Sequence, residues 1–220
     1  MTTRPGRHTI LAENSHESNV IGAATMAACP PATNTRRFMH YKAKLLTHSA
    51  MMCALLIIST MWFKFAIPGT DIQFTTQVLF VLLCGQILPP KYCLASMGTY
   101  IAIGIAGVPV FSATHGLAVI ATPSFGYLIS FPIASMTVSF ITGRKQKSHS
   151  RRYAASLIGV MVIYAIALLY IAFLNAFYFG SPISVSFLFQ VYCLAFLPMD
   201  ILKGVIAAFL GGKLVSANLT

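Results

Sequence analysis

One apolar run near the C-terminus, Phe187–Leu214 (FLFQVYCLAFLPMDILKGVIAAFLGGKL), carries an aspartate and a lysine in its middle, Asp200 and Lys203. The run is long enough to cross a bilayer, for which about 20 mostly apolar residues suffice. At the centre of a membrane helix each of these charges costs roughly 2.5–3.5 kcal/mol on insertion scales. A spacing of three puts both side chains on one helix face, so each offsets the other's charge. Such a pair has to face a bundle interior or a wet cavity. It marks either a substrate or ion site or a structural ion pair that locks one helix to another. Pro198, two residues before Asp200, breaks or kinks the run. If a helical piece restarts there, Asp200 lies near its N-terminus, where the helix dipole favours a carboxylate.

The rest of the composition belongs with that run. The chain of 220 residues is 57% hydrophobic and only 9% charged, against about 25% charged residues in soluble domains. The carboxylates are Glu13, Glu17, Asp71 and Asp200, so Asp200 alone is expected at membrane depth. The net charge of +11 would suit a nucleic-acid partner, but most of the basic residues lie in short loops between apolar segments. Membrane topology explains that pattern, and no nucleic-acid partner is expected. Cys29, Cys53, Cys84, Cys93 and Cys193 form no CxxC pair. They read as small apolar-facing residues, with neither a disulfide framework nor a metal site.

Residues 1–40 are polar and lack apolar periodicity, so a disordered or targeting tail is expected, with Met39 as an alternative start. Six apolar segments follow: about Leu45–Ile67, Thr75–Leu88 (extending back through Ile72), Tyr92–Val108, Phe125–Gly143, Tyr153–Phe179 and Phe187–Leu214. Arg36, Arg37, Lys42 and Lys44 precede the first; Lys91 lies between the second and third. Arg144, Lys145, Lys147, Arg151 and Arg152 lie between the fourth and fifth, and Lys213 ends the sixth. The other connections lack Lys and Arg, apart from Lys64 near the outer end of the first segment, which can snorkel. The pattern predicts an all-α integral membrane protein. Residues 41–216 form six transmembrane helices, with both termini cytoplasmic. Lys213 lies 13 residues beyond Asp200, which at helical rise is roughly 20 Å and puts the pair in the outer half of the membrane.

Several short motifs occur in order along this frame: QFTTQVL (Gln73–Leu79), PPK (Pro89–Lys91), Tyr100 followed by GVPVF (Gly107–Phe111), TPSFGY (Thr122–Tyr127) and FLPMDILKGVIAA (Phe196–Ala208). Together they resemble the biotin transporter BioY family, the substrate-capture subunits of energy-coupling factor transporters. The resemblance covers about residues 45–214. It implies a multi-pass protein of the cell (cytoplasmic/inner) membrane that binds biotin in an outward-facing pocket. It also implies a coupling transmembrane subunit and two ATPase subunits as partners, or self-oligomers. Asp200 and Lys203 match the family's D-x-x-K, which hydrogen-bonds biotin. Ala50 and Ala54, four apart on the first helix, match its AxxxA face for docking the partner helix; small residues let helices approach closely.

Four further residues are candidates for the pocket. Gln77 matches a loop-to-helix glutamine and either meets the ligand or bonds backbone at a helix end. Tyr100 is a pocket wall or a structural, hydroxyl-bonded tyrosine, and Tyr127 carries the same two readings. The loop SATHG (Ser112–Gly116) departs from the family's Gly-rich pattern. Thr114 or His115 stands where some members place a ligand-binding asparagine, although a loop histidine is commonly just solvated. Leu128 replaces an arginine that some members use to reach a carboxylate, which leaves that task to Lys203, Lys64, Gln77 or backbone N–H groups. Phe125 replaces a small residue and is expected to narrow the pocket.

No enzyme is expected, because no Walker A, HExxH or GxSxG pattern occurs. No cofactor is implied. Without a nucleotide site the chain needs an energised partner. The rival reading is a stand-alone proton-coupled carrier of biotin or another small vitamin, with Asp200 as the protonating group.

Overall fold

The computed structural model describes residues 32–62, 64–66, 73–112, 114–143, 148–177, 190, 194 and 196–217. The chain divides into two units, Met1–Ala43 and Lys44–Thr220. Helix α1 (Ala32–Trp62) begins in the first. The second unit continues through β1 (Lys64–Ala66), β2 (Gln73–Thr75), α2 (Gln77–Ile87) and α3 (Pro90–Ile105). A 3₁₀ turn (Gly116–Ala121), α4 (Ser124–Thr142), α5 (His149–Phe177) and α6 (Leu197–Ser216) complete it. Residues 1–31 of the expected tail, Asp71, and the 144–147 basic cluster lie outside the described residues.

The helices are apolar on both faces. On α1, Leu45, Ser49, Met52, Cys53, Leu56, Ser59 and Thr60 are buried, at the three-and-four spacing of one helix face. The opposite face carries Leu46, Met51, Ile58, Met61 and Trp62, all exposed. Helices α5 and α6 likewise expose Met161, Leu169, Phe173, Leu202 and Phe209. A helix that is hydrophobic all round belongs in a large core or a membrane. Among the described residues, Met39–Trp62, Ser124–Thr142 and His149–Phe177 are long and apolar enough to cross one. Helix α6 has 20 residues but holds Asp200, Lys203 and Lys213. Helix α2, with 11 residues, is only about 16 Å long.

This short α2 is the centre of the bundle. It packs against α4 and α6, while α5 packs against α4 and α6 in turn. Val81, Leu82 and Cys84 on α2 are wholly buried or nearly so. Such closeness requires small residues. A Cβ built on Gly85 would stand 2.6 Å from the Ser135 carbonyl oxygen and 2.7 Å from Val138 Cβ. Hydroxyl groups fasten α1 to α3: Ser96 Oγ donates to the Ser49 carbonyl at 2.9 Å, and Ser49 Oγ to the Tyr92 carbonyl at 3.2 Å. Pro90 opens α3 at a position where the missing N–H costs nothing. Gly107, at φ 101°, turns the chain out of α3 in a region that L side chains rarely adopt.

Two expectations change. Among the described residues the fold is helical apart from one short hairpin, in which Lys64–Ala66 and Gln73–Thr75 pair as antiparallel strands, Phe65 opposite Phe74. Segment two therefore does not extend back as helix through residue 73. The paired strands satisfy each other's backbone groups locally. Helix α6 opens at Leu197 with Pro198 in its first turn, so a helical piece does start at the proline and Asp200 lies near its N-terminus. Arg152, assigned by sequence to a basic loop, is buried in α5, where its Nη1 donates to Gln86 Oε1 at 3.2 Å.

Close packing at Gly85 gives a test. Gly85→Ala is expected to destabilise the protein by about 1–3 kcal/mol, the usual cost of overpacking, because the clash is with backbone. Gly98→Ala has open space at its Cβ and should be neutral or slightly stabilising. Thermal unfolding of both variants in detergent checks the contrast.

Candidate functional site

Several element ends converge on one partly enclosed cavity. Gln77 is the first residue of α2, Ser124 the first of α4, and Asp200 lies in the first turn of α6. All three line the cavity, together with Thr75 at the end of β2, Phe111, Ser112 and Thr114 from the loop after α3, and Tyr164 from α5. Its non-atom space, counted out through the open mouth, is about 660 Å³. Phe111, Tyr127, Leu128, Phe131 and Phe196 supply apolar wall. Because α2, α4 and α6 all begin here, their positive dipole ends gather at the same place.

The charged pair is buried and partnered. Lys203 Nζ donates to Asp200 Oδ1 at 2.7 Å and to the Thr75 carbonyl at 2.7 Å. Tyr164 Oη donates to Asp200 Oδ2 at 2.6 Å. The Asp200 and Lys203 side chains are 8% and 11% exposed. Each charge therefore has its opposite, and hydrogen bonds engage both carboxylate oxygens, as burial of ions requires.

Beside the pair is a neutral network. The Gln77 amide donates to Thr60 Oγ1 at 2.8 Å and to Tyr100 Oη, while Gln77 Oε1 accepts from Thr75 Oγ1 at 3.0 Å. Thr60 Oγ1 then donates to the Leu56 carbonyl at 2.8 Å, and Tyr100 Oη to the Val110 carbonyl at 3.2 Å. Gln77 thus lines the cavity with its amide nitrogen already committed to protein. Tyr100 is 0% exposed and is not on the wall; it stands behind Gln77 and meets Phe111 edge-on at 5.4 Å. Of its two readings, the geometry is that of the hydroxyl-bonded tyrosine.

The structure brings Asp200, Lys203, Gln77 and Tyr127 to one cavity, and Tyr100 into contact with it through Gln77. His115 is exposed and does not line it; its neighbour Thr114 does. Phe125 does not narrow the cavity, because its ring packs edge-on against Tyr170 at 5.7 Å. The Lys64 side chain lies outside the described residues. Ala50 and Ala54 are on the exposed face of α1. Sequence reasoning missed Tyr164. Its only signal was a polar hydroxyl inside an otherwise apolar span, and its partner is 36 residues away.

The pair's energetics can be measured without a ligand. Asp200→Asn and Lys203→Met, made singly, are each expected to cost about 3–5 kcal/mol of stability, since the remaining partner is left buried and uncompensated. The double variant should recover most of that loss. Unfolding midpoints of the three proteins in detergent report it; equal loss in the double variant would mean that the two charges do not compensate each other.

Comparison with known proteins places the chain. The model of the BioY family matches residues 32–218. The probable biotin transporter BioY of Lysinibacillus sphaericus is 35% identical over 106 residues, a stretch that covers 48% of this chain and 54% of that protein. The probable biotin transporter BioY of Pyrococcus horikoshii is 32% identical over 174 residues, covering 79% of this chain and 97% of that protein. The fold is similar to the crystal structure of the S-component for biotin from an ECF-type ABC transporter, with a TM-score of 0.62 at 24% identity over 80% of this chain and 92% of that one. With the family model spanning the whole helical body and a relative matched over nearly its full length, this chain belongs to the BioY family.

Proposed function

We propose that this chain is the membrane subunit that captures biotin for uptake, binding it in the cavity around Asp200 and Lys203 and working with an ATP-driven coupling module. The observation that carries the reading is a buried, neutralised charge pair that lines a partly enclosed cavity with both polar and apolar walls. Structural ion pairs need no cavity beside them; intramembrane charges at a cavity mark a substrate path. The relatives named as biotin transporters support the choice of ligand.

Biotin suits the donors and acceptors present. Its ureido ring offers N–H donors and a carbonyl acceptor. The Asp200 carboxylate, which can accept about four hydrogen bonds, has capacity left for a ureido N–H. The Lys203 ammonium is placed to donate to a ligand oxygen. Tyr127, Phe131 and Phe196 supply apolar surface for the rings and the aliphatic chain. The gathered N-termini of α2, α4 and α6, with Ser112, Thr114 and Ser124, favour a ligand carboxylate where no arginine is available. Gln77 shapes the wall, held by Tyr100.

In this reading six spans cross the cell membrane with both termini cytoplasmic, as the loop charges ask. Residues 41–216 then form the transporter domain, and α1 carries its helix back into the expected tail as far as Ala32. The cavity, at the end of the bundle opposite Lys213, opens outward. The exposed Ala50–Ala54 face of α1 is the surface on which a coupling helix docks.

The first test is direct binding. The parent protein should bind biotin, with biotin among the small molecules that mass spectrometry finds in the purified protein. The Asp200→Asn/Lys203→Met double variant should stay folded and lose at least tenfold in affinity, the worth of one hydrogen bond to a charged group. A folded double variant with parental affinity would remove the pair from the site.

A second test separates capture from uptake. Ala50→Trp and Ala54→Trp should keep parental biotin affinity and lose uptake in cells that carry the coupling subunit and ATPases, because an indole holds the helices apart. Full uptake by both, collapsed by an uncoupler while ATP is held constant, would favour the stand-alone proton-coupled carrier.

A further inference from the structure

We propose that Tyr164 is a positioning residue for ligand capture, its hydroxyl aiming the Asp200 carboxylate at the ligand's N–H donor. The proposal rests on the biotin reading above and goes further by assigning part of the specificity to a residue outside the D-x-x-K motif.

The argument begins with the freedom of an aspartate. The terminal torsion of Asp is broad and roughly two-fold, so a single anchor leaves the carboxylate plane poorly defined. Lys203 anchors Oδ1, and it does so from the same helix through a long flexible stem. Tyr164 anchors Oδ2 from a different helix at 2.6 Å. Two donors on two oxygens, from two directions, fix the plane. Each oxygen keeps further acceptor capacity, and the residue lines the cavity. A receptor group fixed before the ligand arrives loses less freedom on binding, which is the general source of preorganised affinity.

Tyr164 is itself held firmly. It is buried, and its ring meets Tyr127 edge-on at 5.9 Å and 88°. Around it α5 is pressed against α4 at two levels. Five residues before, a Cβ on Gly159 would reach Val138 Cγ2 at 2.5 Å; six residues after, Tyr170 Cβ lies 2.9 Å from where a Cβ on Gly126 would be. These close approaches bracket Tyr164, so the position of its hydroxyl is set by helix packing and not by its own side-chain freedom. An aromatic ring has few torsions to lose, which makes tyrosine a precise mount for one donor.

The test uses Tyr164→Phe in the full chain, purified in detergent and titrated with three ligands. These are biotin and its two isosteric carbamate analogues, each with one ureido N–H replaced by oxygen. The phenylalanine keeps the ring and its packing on Tyr127 and removes only the donor. Biotin affinity is expected to fall about tenfold or more, as for loss of a hydrogen bond to a charged group. The carbamate that lacks the N–H received by Asp200 should lose less than twofold. A merely structural role for Tyr164 would weaken all three ligands by one factor, and that result, or parental biotin affinity in Tyr164→Phe, would overturn the proposal. A parent protein that binds no biotin would overturn the functional reading, and this inference with it.

Discussion

The structure depends on one requirement: the charges of Asp200 and Lys203 have to be neutralised away from water. The ammonium reaches the carboxylate three residues back and the Thr75 carbonyl at the end of β2, while Tyr164 closes the other carboxylate oxygen. Three elements are thereby tied together by one pair. The strand that ends in Thr75 leads directly into α2, the buried centre of the bundle. Opening α6 at Leu197 places Asp200 in the first turn, where the helix dipole adds to the stabilisation of the carboxylate. The same bonds that make burial tolerable also leave acceptor capacity at a cavity wall.

Neutral polar groups follow the same rule at both ends of the bundle. Around the cavity, the donors and acceptors of Gln77, Thr60 and Tyr100 chain together and finish on backbone carbonyls. Farther along α2, Gln86 Nε2 donates to the Arg152 carbonyl at 2.9 Å and to Ser156 Oγ at 3.0 Å, while its Oε1 accepts from Arg152 Nη1. Gly211 on α6 leaves room for this side chain, since a Cβ there would meet Gln86 Cβ at 2.6 Å. One short helix therefore carries a glutamine near each end that fastens it to neighbouring helices. Small residues admit the contacts, and hydrogen bonds fix them.

The outer faces do the opposite. Exposed Leu46, Met161, Leu169, Phe173 and Phe209 give the bundle a hydrocarbon surface, as expected of a multi-pass membrane protein whose solvent is lipid. In lipid the hydrophobic effect does not drive helices together, so close packing at glycines and satisfied polar pairs carry the specificity. The buried faces of α5 and α6 accordingly hold Gly159, Gly204, Gly211 and Gly212 and Ala155, Ala167, Ala207 and Ala208 alongside Val160, Ile163 and Ile171.

The sequence by itself determined what is local. Hydropathy marked six apolar segments, and five of the six described α-helices start close to an apolar run or at a flanking polar extension of it, as in α1. Spacing alone put Asp200 and Lys203 on one face, and Pro198 marked the start of a helical piece. The ordered motifs were enough to indicate the family. Tertiary structure decided what depends on distances between segments far apart in the chain. It paired β1 with β2, set Tyr100 behind the cavity wall, put Thr114 rather than His115 on it, and turned Phe125 onto Tyr170. It also supplied Tyr164 as the second donor to Asp200. Period and composition describe a helix relative to its own axis. Which hydroxyl comes within 2.6 Å of a given carboxylate is fixed by how closely neighbouring helices pack, and glycines on several helices set that at once.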